Sequence, residues 1–245
     1  MLPALLILGQ TPLAPPVPSR VKSIVLVFHD FVPTRGKGSV WFDCTPAEFK
    51  TQLDALQRLG VRFIPLETLV GALKGSGKLP PRAVCLTFAD GYAGFARFAS
   101  PELARRGIPA AMFSHTGFIG SNVGRPKLTW AQMGSLERQG VRFYSQTISH
   151  PTDLRALSDG ALRKEFVDSR HTLETRLGGT RDLLAYPNGK WNTRVARFAK
   201  EAGYIAAFTE DQRPAQTAES LWSIPRYVHT RWRKAVHDAW GVTPR

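Results

Sequence analysis

The sequence contains few cysteines and few acidic side chains, and it has no long apolar run. Its two cysteines, Cys44 and Cys85, are too few for a disulfide-dense scaffold or a four-cysteine zinc site. No segment approaches the roughly 18 consecutive apolar residues of a membrane span, so the sequence excludes an integral membrane protein. With 43% hydrophobic residues, the chain can still bury a sizeable core.

Basic side chains outnumber acidic ones by 33 to 19, which gives a formal net charge of +14. Such a surplus suggests an anionic neighbour, such as nucleic acid, lipid headgroups or an acidic cell-envelope polymer. It is equally typical of a basic protein surface with no such partner. The charges are scattered, and no specific nucleic-acid motif accompanies them. Charge alone therefore does not identify a partner.

The first twenty residues differ from the rest of the chain. A short apolar run, residues 4–8, precedes four prolines between positions 12 and 18. The run resembles the remnant of a secretory signal, although no basic residue precedes it, and the prolines are typical of a linker or a mature N-terminus. We interpret residues 1–20 as a leader or Pro-rich linker and residues 21–245 as one domain, which favours a secreted or cell-envelope location.

Short apolar runs alternate with amphipathic stretches from Ser23 onward. Seven runs have the pattern of short or buried strands: residues 23–28, 61–64, 83–88, 110–113, 141–144, 183–186 and 205–208. The stretches between them predict helices, and Thr45 with Glu48 forms a capping box at the start of the first helix. The alternation indicates parallel strands joined by helical crossovers, hence an α/β barrel or a doubly wound sheet.

Polar side chains follow several of these runs, at the carboxyl ends of the predicted strands. In chain order they are His29, Asp30, Asp90, Ser114, His115, Ser145, Gln146, His150, Asn188 and Gly189. In α/β folds the chemistry collects at these strand ends. Carboxylates and imidazoles from several strands resemble a catalytic metal site, and a catalytic zinc needs about three protein ligands and an open position for water.

Four segments together resemble the motifs of one protein family. Residues 87–91 (TFADG), 145–151 (SQTISHP) and 185–189 (AYPNG) are similar to the TFDDG, SHTxxHP and third motifs of polysaccharide deacetylases, carbohydrate esterase family 4 with the NodB-homology domain. Residues 25–31 (VLVFHDF) lie upstream, as in the circularly permuted members that deacetylate poly-N-acetylglucosamine. The resemblance implies a distorted (β/α) barrel and metal-dependent removal of N-acetyl groups from glycans.

The resemblance also implies roles for individual positions. Asp90 and His150 match two ligands of a divalent metal, for which zinc is the expected ion. His29 matches the histidine that protonates the leaving amine. Asn188 replaces the usual tyrosine, but this position stabilises the oxyanion through its backbone N–H, which any residue supplies.

Two positions depart from the family pattern. Ala89 stands where the family has the aspartate that acts as general base, a group that typically contributes about 10²- to 10⁴-fold in rate. Gln146 stands where the family has the first metal histidine, and zinc prefers nitrogen to a neutral amide oxygen. The third ligand is then either the Gln146 amide oxygen or His115, for which a polar strand cap is the alternative. Asp30 is a candidate substitute base, with a turn former or a partner that orients His29 as alternatives.

The sequence thus supports three hypotheses. The first is a metal-dependent N-deacetylase of an N-acetylated glycan, impaired by Ala89 and Gln146. The second is a catalytically inactive glycan-binding protein on the same fold. The third is a basic envelope- or nucleic-acid-binding protein with a vestigial pocket, which rests on the net charge alone. For a glycan-active protein, the surplus charge predicts an association with anionic envelope polymers.

Overall fold

A parallel sheet organises the part of the chain that the computed structural model describes, residues 22–244. Its strands are β1 (Ser23–Phe28), β2 (Arg62–Phe63), β3 (Ala83–Ala89), β4 (Ala110–Ser114), β5 (Val141–Ser145), β6 (Leu183–Ala185), β7 (Ala206–Phe208) and β8 (Tyr227–Val228). The strand order is β7-β6-β5-β4-β3-β1-β8, with β2 paired to β3. The predicted leader, residues 1–20, lies outside the described residues.

Helices connect the strands, and most of them cover the outer face of the sheet. They are α1 (Pro46–Arg58), α2 (Leu66–Leu73), α3 (Ser100–Arg106), α4 (Trp130–Arg138), α5 (Asp159–Leu177), α6 (Thr193–Glu201) and α7 (Trp232–Trp240). Side chains of α1, α3, α4 and α7 form one core cluster with alternate residues of β1, β3, β4 and β5. Helices α5 and α6 pack with β6 and β7 in a second cluster.

The sheet curls, because its inner face forms one continuous core. Val25 of β1, Cys85 of β3 and Phe113 of β4 share a cluster with Leu183 of β6 and Phe208 of β7. Strands so far apart in the sheet order can meet only if the sheet bends around this core. The prediction of an α/β fold of the distorted-barrel type is therefore confirmed, as a curled half-barrel.

The predicted start of the first helix is also confirmed. Thr45 Oγ1 accepts a hydrogen bond from Glu48 N at 3.2 Å, and Glu48 Oε2 accepts one from Thr45 N at 2.8 Å. This reciprocal pair satisfies two N–H groups that the helix itself leaves without partners. The helix then buries Phe49, Leu53 and Leu56 against the sheet.

Some boundaries differ from the predictions. The stretch between β3 and β4, where the alternation predicts a helix, begins with a π-helical turn, Phe95–Ala99, and becomes regular at α3. Pro101 accounts for the change, because it has no N–H to donate to the preceding turn and suits the first turn of a regular helix. The sequence after Pro225 resembles a strand, and β8 lies there, whereas helix α7 was not predicted.

Both cysteines, Cys44 and Cys85, are buried and free. No helix between residues 22 and 244 combines the length and the apolar character that crossing a membrane requires.

Gly94 allows the turn after β3 to approach the segment after β1. A Cβ at this position would collide with the Phe31 carbonyl oxygen and would lie 2.6 Å from Asp30 Oδ1. Because Gly94 has no side chain, the segments that follow β1 and β3 can lie in direct contact.

We expect Gly94→Ala to destabilise the fold by about 1–3 kcal/mol, because the added methyl group overpacks this contact. The matched control is Gly134→Ala in α4, where the nearest atom to the new Cβ is Arg138 Nη1 at 4.0 Å. That change should be neutral or should stabilise the helix by about 0.5–1 kcal/mol. Urea unfolding of both variants measures the difference, and equal midpoints would contradict the close approach.

Candidate active site

Neighbouring parallel strands end level with one another at one edge of the sheet, which we call the carboxyl edge. Phe28 pairs with Phe88 at the ends of β1 and β3, and Ser114 pairs with Ser145 at the ends of β4 and β5. The residues that follow these strands are therefore close together. They are His29 and Asp30 after β1, Asp90 after β3, His115 after β4, and Gln146 and His150 after β5.

Asp90 lies between two imidazoles. Its Oδ1 is 3.7 Å from His150 Nε2 and 4.0 Å from His115 Nε2. The two imidazole ring centroids are 5.3 Å apart. Within residues 22–244, Asp90 Oδ1 and His115 Nδ1 are buried without a hydrogen-bond partner. Such atoms are costly in a folded protein and commonly mark a site where an ion, water or substrate binds.

Gln146 connects Asp90 to His150. Its Oε1 accepts a hydrogen bond from Asp90 N at 3.0 Å, and its Nε2 is 3.2 Å from His150 Nε2. Because an amide nitrogen only donates, His150 Nε2 must be the acceptor in this arrangement. The family has a metal-binding histidine at this position. Here the position holds an amide, which hydrogen-bonds to the backbone N–H of Asp90 and to the imidazole of His150.

Ala89 packs against apolar side chains. It is fully buried and contacts Val27 of β1 and Val228 of β8. This position therefore provides no carboxylate.

His29 has a carboxylate neighbour that the sequence analysis did not identify. Glu210 Oε1 lies 3.7 Å from His29 Nε2 and 3.4 Å from Arg226 Nη2. Burial opposes ionisation of Glu210, but the neighbouring His29 imidazole and the positive charge of Arg226 outweigh it and lower the pKa of Glu210 to about 2. Gly189 permits this placement, since a Cβ there would lie 2.8 Å from Glu210 N.

Arg226 is a fully buried cation at the same edge. Its Nε donates to the Thr209 carbonyl oxygen at 3.0 Å, and its guanidinium carbon lies 5.3 Å from the centroid of the Phe113 ring. Among the described residues, its Nη1 has no hydrogen-bond partner. The sequence signal for Arg226 was weak, because this residue precedes a strand of only two residues. Glu210 could have been predicted, because it lies two residues after the apolar run at 205–208.

Asp30 is held by groups other than His29. Its Oδ1 accepts a hydrogen bond from Phe31 N at 2.8 Å, and its Oδ2 accepts one from Arg125 Nη1 at 2.9 Å. Arg125 also pairs with Asp43. Burial raises the pKa of Asp30 despite the opposing effect of Arg125.

Lys127 adds a positive charge on the other side of Asp90. Its Nζ lies 3.3 Å from the centroid of the Tyr92 ring, a cation–π contact. Burial lowers the pKa of Lys127 to about 8, although Asp90 and Asp30 attract its charged form. Burial and the charge of Lys127 together lower the pKa of His115 to about 4, so this imidazole is neutral at pH 7.

Several residues at this edge have left-handed backbone conformations although they carry side chains. Their φ angles are 67° at Asp90, 71° at Thr147, 52° at His150 and 54° at Asn188. Such conformations cost energy and persist only where the surrounding structure holds them, which is common at functional sites. Asn188, whose backbone N–H the resemblance assigns to the oxyanion, is held by its side-chain hydrogen bond to the Thr152 carbonyl oxygen at 3.1 Å.

The oxygen and nitrogen atoms around Asp90 are of the types that bind zinc, but they lie farther apart than the ligands of a bound zinc ion. A carboxylate oxygen and neutral imidazole nitrogens are ordinary zinc ligands, and ligands of a tetrahedral zinc lie about 3.3 Å apart. The separations here are 3.7 and 4.0 Å. No three His, Cys, Asp or Glu side chains among residues 22–244 are already arranged to hold a metal ion. The three side chains must therefore move inward to bind one.

This arrangement, a curled α/β half-barrel with aspartate and histidine at its carboxyl edge, is accompanied by a family match. The sequence profile of the polysaccharide deacetylases matches residues 76–207. Because this match covers more than half of the chain, the protein belongs to the polysaccharide deacetylase family.

Individual relatives agree with this assignment. The poly-β-1,6-N-acetyl-D-glucosamine N-deacetylase of Staphylococcus epidermidis is 27% identical over 200 residues, which cover 76% of this chain and 68% of that protein. YxkH of Bacillus subtilis, provisionally named a polysaccharide deacetylase, is 25% identical over 180 residues. These residues cover 73% of this chain and 63% of YxkH, so the chain spans less than two thirds of that relative.

Solved structures show the same fold. The Streptococcus pyogenes deacetylase PplD, solved in complex with acetate, superposes with a TM-score of 0.78 at 26% identity, covering 85% of this chain and 92% of PplD. IcaB from Ammonifex degensii also has a TM-score of 0.78, at 24% identity, covering 89% of this chain and 97% of IcaB.

We expect Glu210→Gln to destabilise the protein at pH 7 by about 2 kcal/mol, because it removes the charged partner of the buried Arg226. Glu210 has a folded pKa of about 2, below its ordinary value of 4.5. Its stabilising effect is therefore complete above pH 4.5 and is lost as the pH falls towards 2. Urea unfolding as a function of pH should show the two proteins converging over this interval.

The matched control is Glu219→Gln, which removes the same charge from an exposed position. It should change the free energy of unfolding by less than about 0.5 kcal/mol. A difference between Glu210→Gln and the unmodified protein that stays constant from pH 7 to pH 2 would contradict the ion pair.

Proposed function

We propose that this protein is a metal-dependent N-deacetylase of an N-acetylated glycan, with a reaction slowed by the residue at position 89. The observation that supports this proposal best is the convergence of Asp90, His115 and His150 at one edge of the sheet, beside His29 paired with Glu210. The names of the staphylococcal relative and of PplD agree with this reaction class.

In this proposal each residue at the carboxyl edge has one task. Asp90, His150 and His115 hold the divalent metal, zinc in the first instance, which when bound polarises the amide carbonyl and acidifies a water molecule. His29 donates a proton to the departing amine, and the carboxylate of Glu210 stabilises its protonated form. The backbone N–H of Asn188 donates to the oxyanion.

The missing step is proton removal from the attacking water. Ala89 cannot accept a proton, and the nearby carboxylates do not replace an aspartate there. Glu210, with a pKa of about 2, is a weak base. Asp30 is engaged by Arg125 and Phe31 N. We therefore expect a rate about 10²- to 10⁴-fold below that of a site with a general base.

The second candidate is a glycan-binding protein without catalytic activity. It is favoured by the apolar packing of Ala89 against Val27 and Val228. It is also favoured by Gln146, whose amide hydrogen-bonds to the nitrogen of His150 that faces Asp90. Both candidates predict a secreted or envelope protein that binds an N-acetylated glycan, with the net charge of +14 favouring anionic envelope polymers nearby.

Acetate release from N-acetylglucosamine oligomers, with Zn²⁺, Co²⁺ or Ni²⁺ supplied, tests the choice between the two. We expect slow release by the unmodified protein, an increase of about 100-fold in Ala89→Asp, and no increase in Ala89→Asn, which has the same shape without a base. His29→Ala should abolish the slow release.

Two outcomes would contradict the deacetylase proposal. One is the absence of release by both the unmodified protein and a folded Ala89→Asp variant. The other is slow release that is unaffected by His29→Ala. If Ala89→Asp fails to fold against its apolar neighbours, the effect of His29→Ala on acetate release by the unmodified protein still decides between the two candidates.

Metal affinity tests the assignment of His115 independently of activity. Equilibrium dialysis against Zn²⁺, with metal content measured by mass spectrometry, should show at least tenfold weaker binding in His115→Ala. Gln146→Ala should bind zinc about as well as the unmodified protein, because its amide is not a ligand in this assignment. His237→Ala, on the exposed side of α7, is the control.

The opposite pattern would contradict the assignment. If Gln146→Ala loses zinc while His115→Ala retains it, the amide oxygen of Gln146 is the third ligand. If neither the unmodified protein nor any of the variants binds zinc at millimolar concentration, the result favours the glycan-binding candidate over the deacetylase.

A further inference from the structure

A groove beside the site combines an exposed aromatic ring with positive charge. Its volume is about 420 Å³, and its described lining residues are Trp41, Gln212, Val228, Thr230, Arg231 and Lys234. We call it the side groove. Trp41 is 62% exposed, although tryptophan is usually buried. The volume lies within the range of ordinary ligand pockets.

The side groove is continuous with the carboxyl edge. The Trp41 ring centroid lies 6.5 Å from that of His29. Val228, in the wall of the groove, packs against Ala89. Gln212 Nε2 donates to the carbonyl oxygen of Glu210 at 3.5 Å. The side groove is therefore within reach of the sugar unit next to one that lies at His29.

The structure holds Trp41 in its exposed position. Its ring packs edge-on against Phe42, with centroids 5.5 Å apart. The preceding residue, Val40, donates its N–H to Asp43 Oδ2 at 2.8 Å, and Arg125 binds both Asp43 and the Gly38 carbonyl oxygen. A fixed, exposed indole offers a flat apolar face at low entropic cost, which suits the apolar face of a sugar ring.

The charge in the side groove is positive. Arg231, just before α7, is exposed and makes no ion pair with any residue in the range 22–244. Lys234, one turn further on, pairs with Asp238, whose carboxylate also accepts a hydrogen bond from Tyr227. None of the described lining residues is a carboxylate. Arg231 is therefore free to bind an anionic group on a ligand that stacks on Trp41.

We propose that the side groove binds a sugar unit that bears a carboxylate, next to the N-acetylated unit at the carboxyl edge. The preferred glycan is then an acidic N-acetylated polymer. Trp41 stacks on its sugar ring, and Arg231 binds its carboxylate. This inference deepens the proposed function and rests on it for the position of the acetylated unit.

Binding of two tetrasaccharides by calorimetry at low salt tests the proposal. A hyaluronan tetrasaccharide contains N-acetylglucosamine and glucuronate, and chitotetraose contains N-acetylglucosamine alone. We expect the first to bind at least tenfold more tightly, which corresponds to about 1.4 kcal/mol. Methyl esterification of its carboxylates should remove the preference, and added salt should weaken it.

Variants assign the preference to particular residues. Arg231→Gln should abolish the preference for the acidic tetrasaccharide and leave the affinity for chitotetraose unchanged. Arg233→Gln, the matched control, removes the same charge two residues further along the chain, outside the side groove, and should leave the preference intact. Trp41→Ala should weaken the binding of both tetrasaccharides about tenfold.

Equal affinities for the two tetrasaccharides, or a preference that survives Arg231→Gln, would overturn the proposal. Unchanged affinities in Trp41→Ala would also overturn it. The measurement needs no turnover, so selective binding without acetate release by either the unmodified protein or a folded Ala89→Asp variant overturns the deacetylase proposal and supports the side groove. Acetate release without selective binding supports the deacetylase proposal and overturns the proposed role of the side groove.

Discussion

A buried carboxylate oxygen without a hydrogen-bond partner is the feature on which the rest of the site depends. Asp90 Oδ1 is such an atom within the described part of the chain, and it lies between the imidazoles of His115 and His150. Leaving a charged oxygen unpaired in the protein interior is expensive. The level ends of parallel strands and the left-handed backbone at Asp90 nevertheless hold it there. Binding a cation is the simplest way to satisfy it.

Further unpaired polar atoms lie at the same edge. His29 Nδ1, His115 Nδ1 and Arg226 Nη1 are also buried without partners among residues 22–244, although others, such as Arg181 Nε and Trp240 Nε1, lie elsewhere. Native proteins contain few such atoms, so a group of them around Asp90 is consistent with a site that binds a ligand. In contrast, the Ala89 side chain packs against apolar neighbours and has no polar atom to pair. The site thus retains groups for binding and protonation but lacks one for proton removal.

The sequence predicted the fold and the central residues of the site for a physical reason. Apolar runs such as residues 23–28 are buried on both faces in a parallel sheet, so they stand out in the sequence, and the polar residue that ends each run must lie at the carboxyl edge. His29, Asp90 and His115 were found in this way. Arg226 was missed because β8, which follows it, has two residues, too few to define a pattern. Glu210 was missed although it lies two residues after a recognised apolar run, residues 205–208. The environment of Lys127 depends on packing against Tyr92, which no local pattern encodes.

An anomalous-diffraction map at the zinc edge, from crystals grown with Zn²⁺, tests the central claim most directly. The account predicts one peak about 2.0–2.2 Å from the Asp90 carboxylate and from the imidazoles of His115 and His150. It predicts that the Gln146 amide lies outside this coordination sphere. A peak bound by Gln146 in place of His115, or the absence of any peak at Asp90, would contradict it.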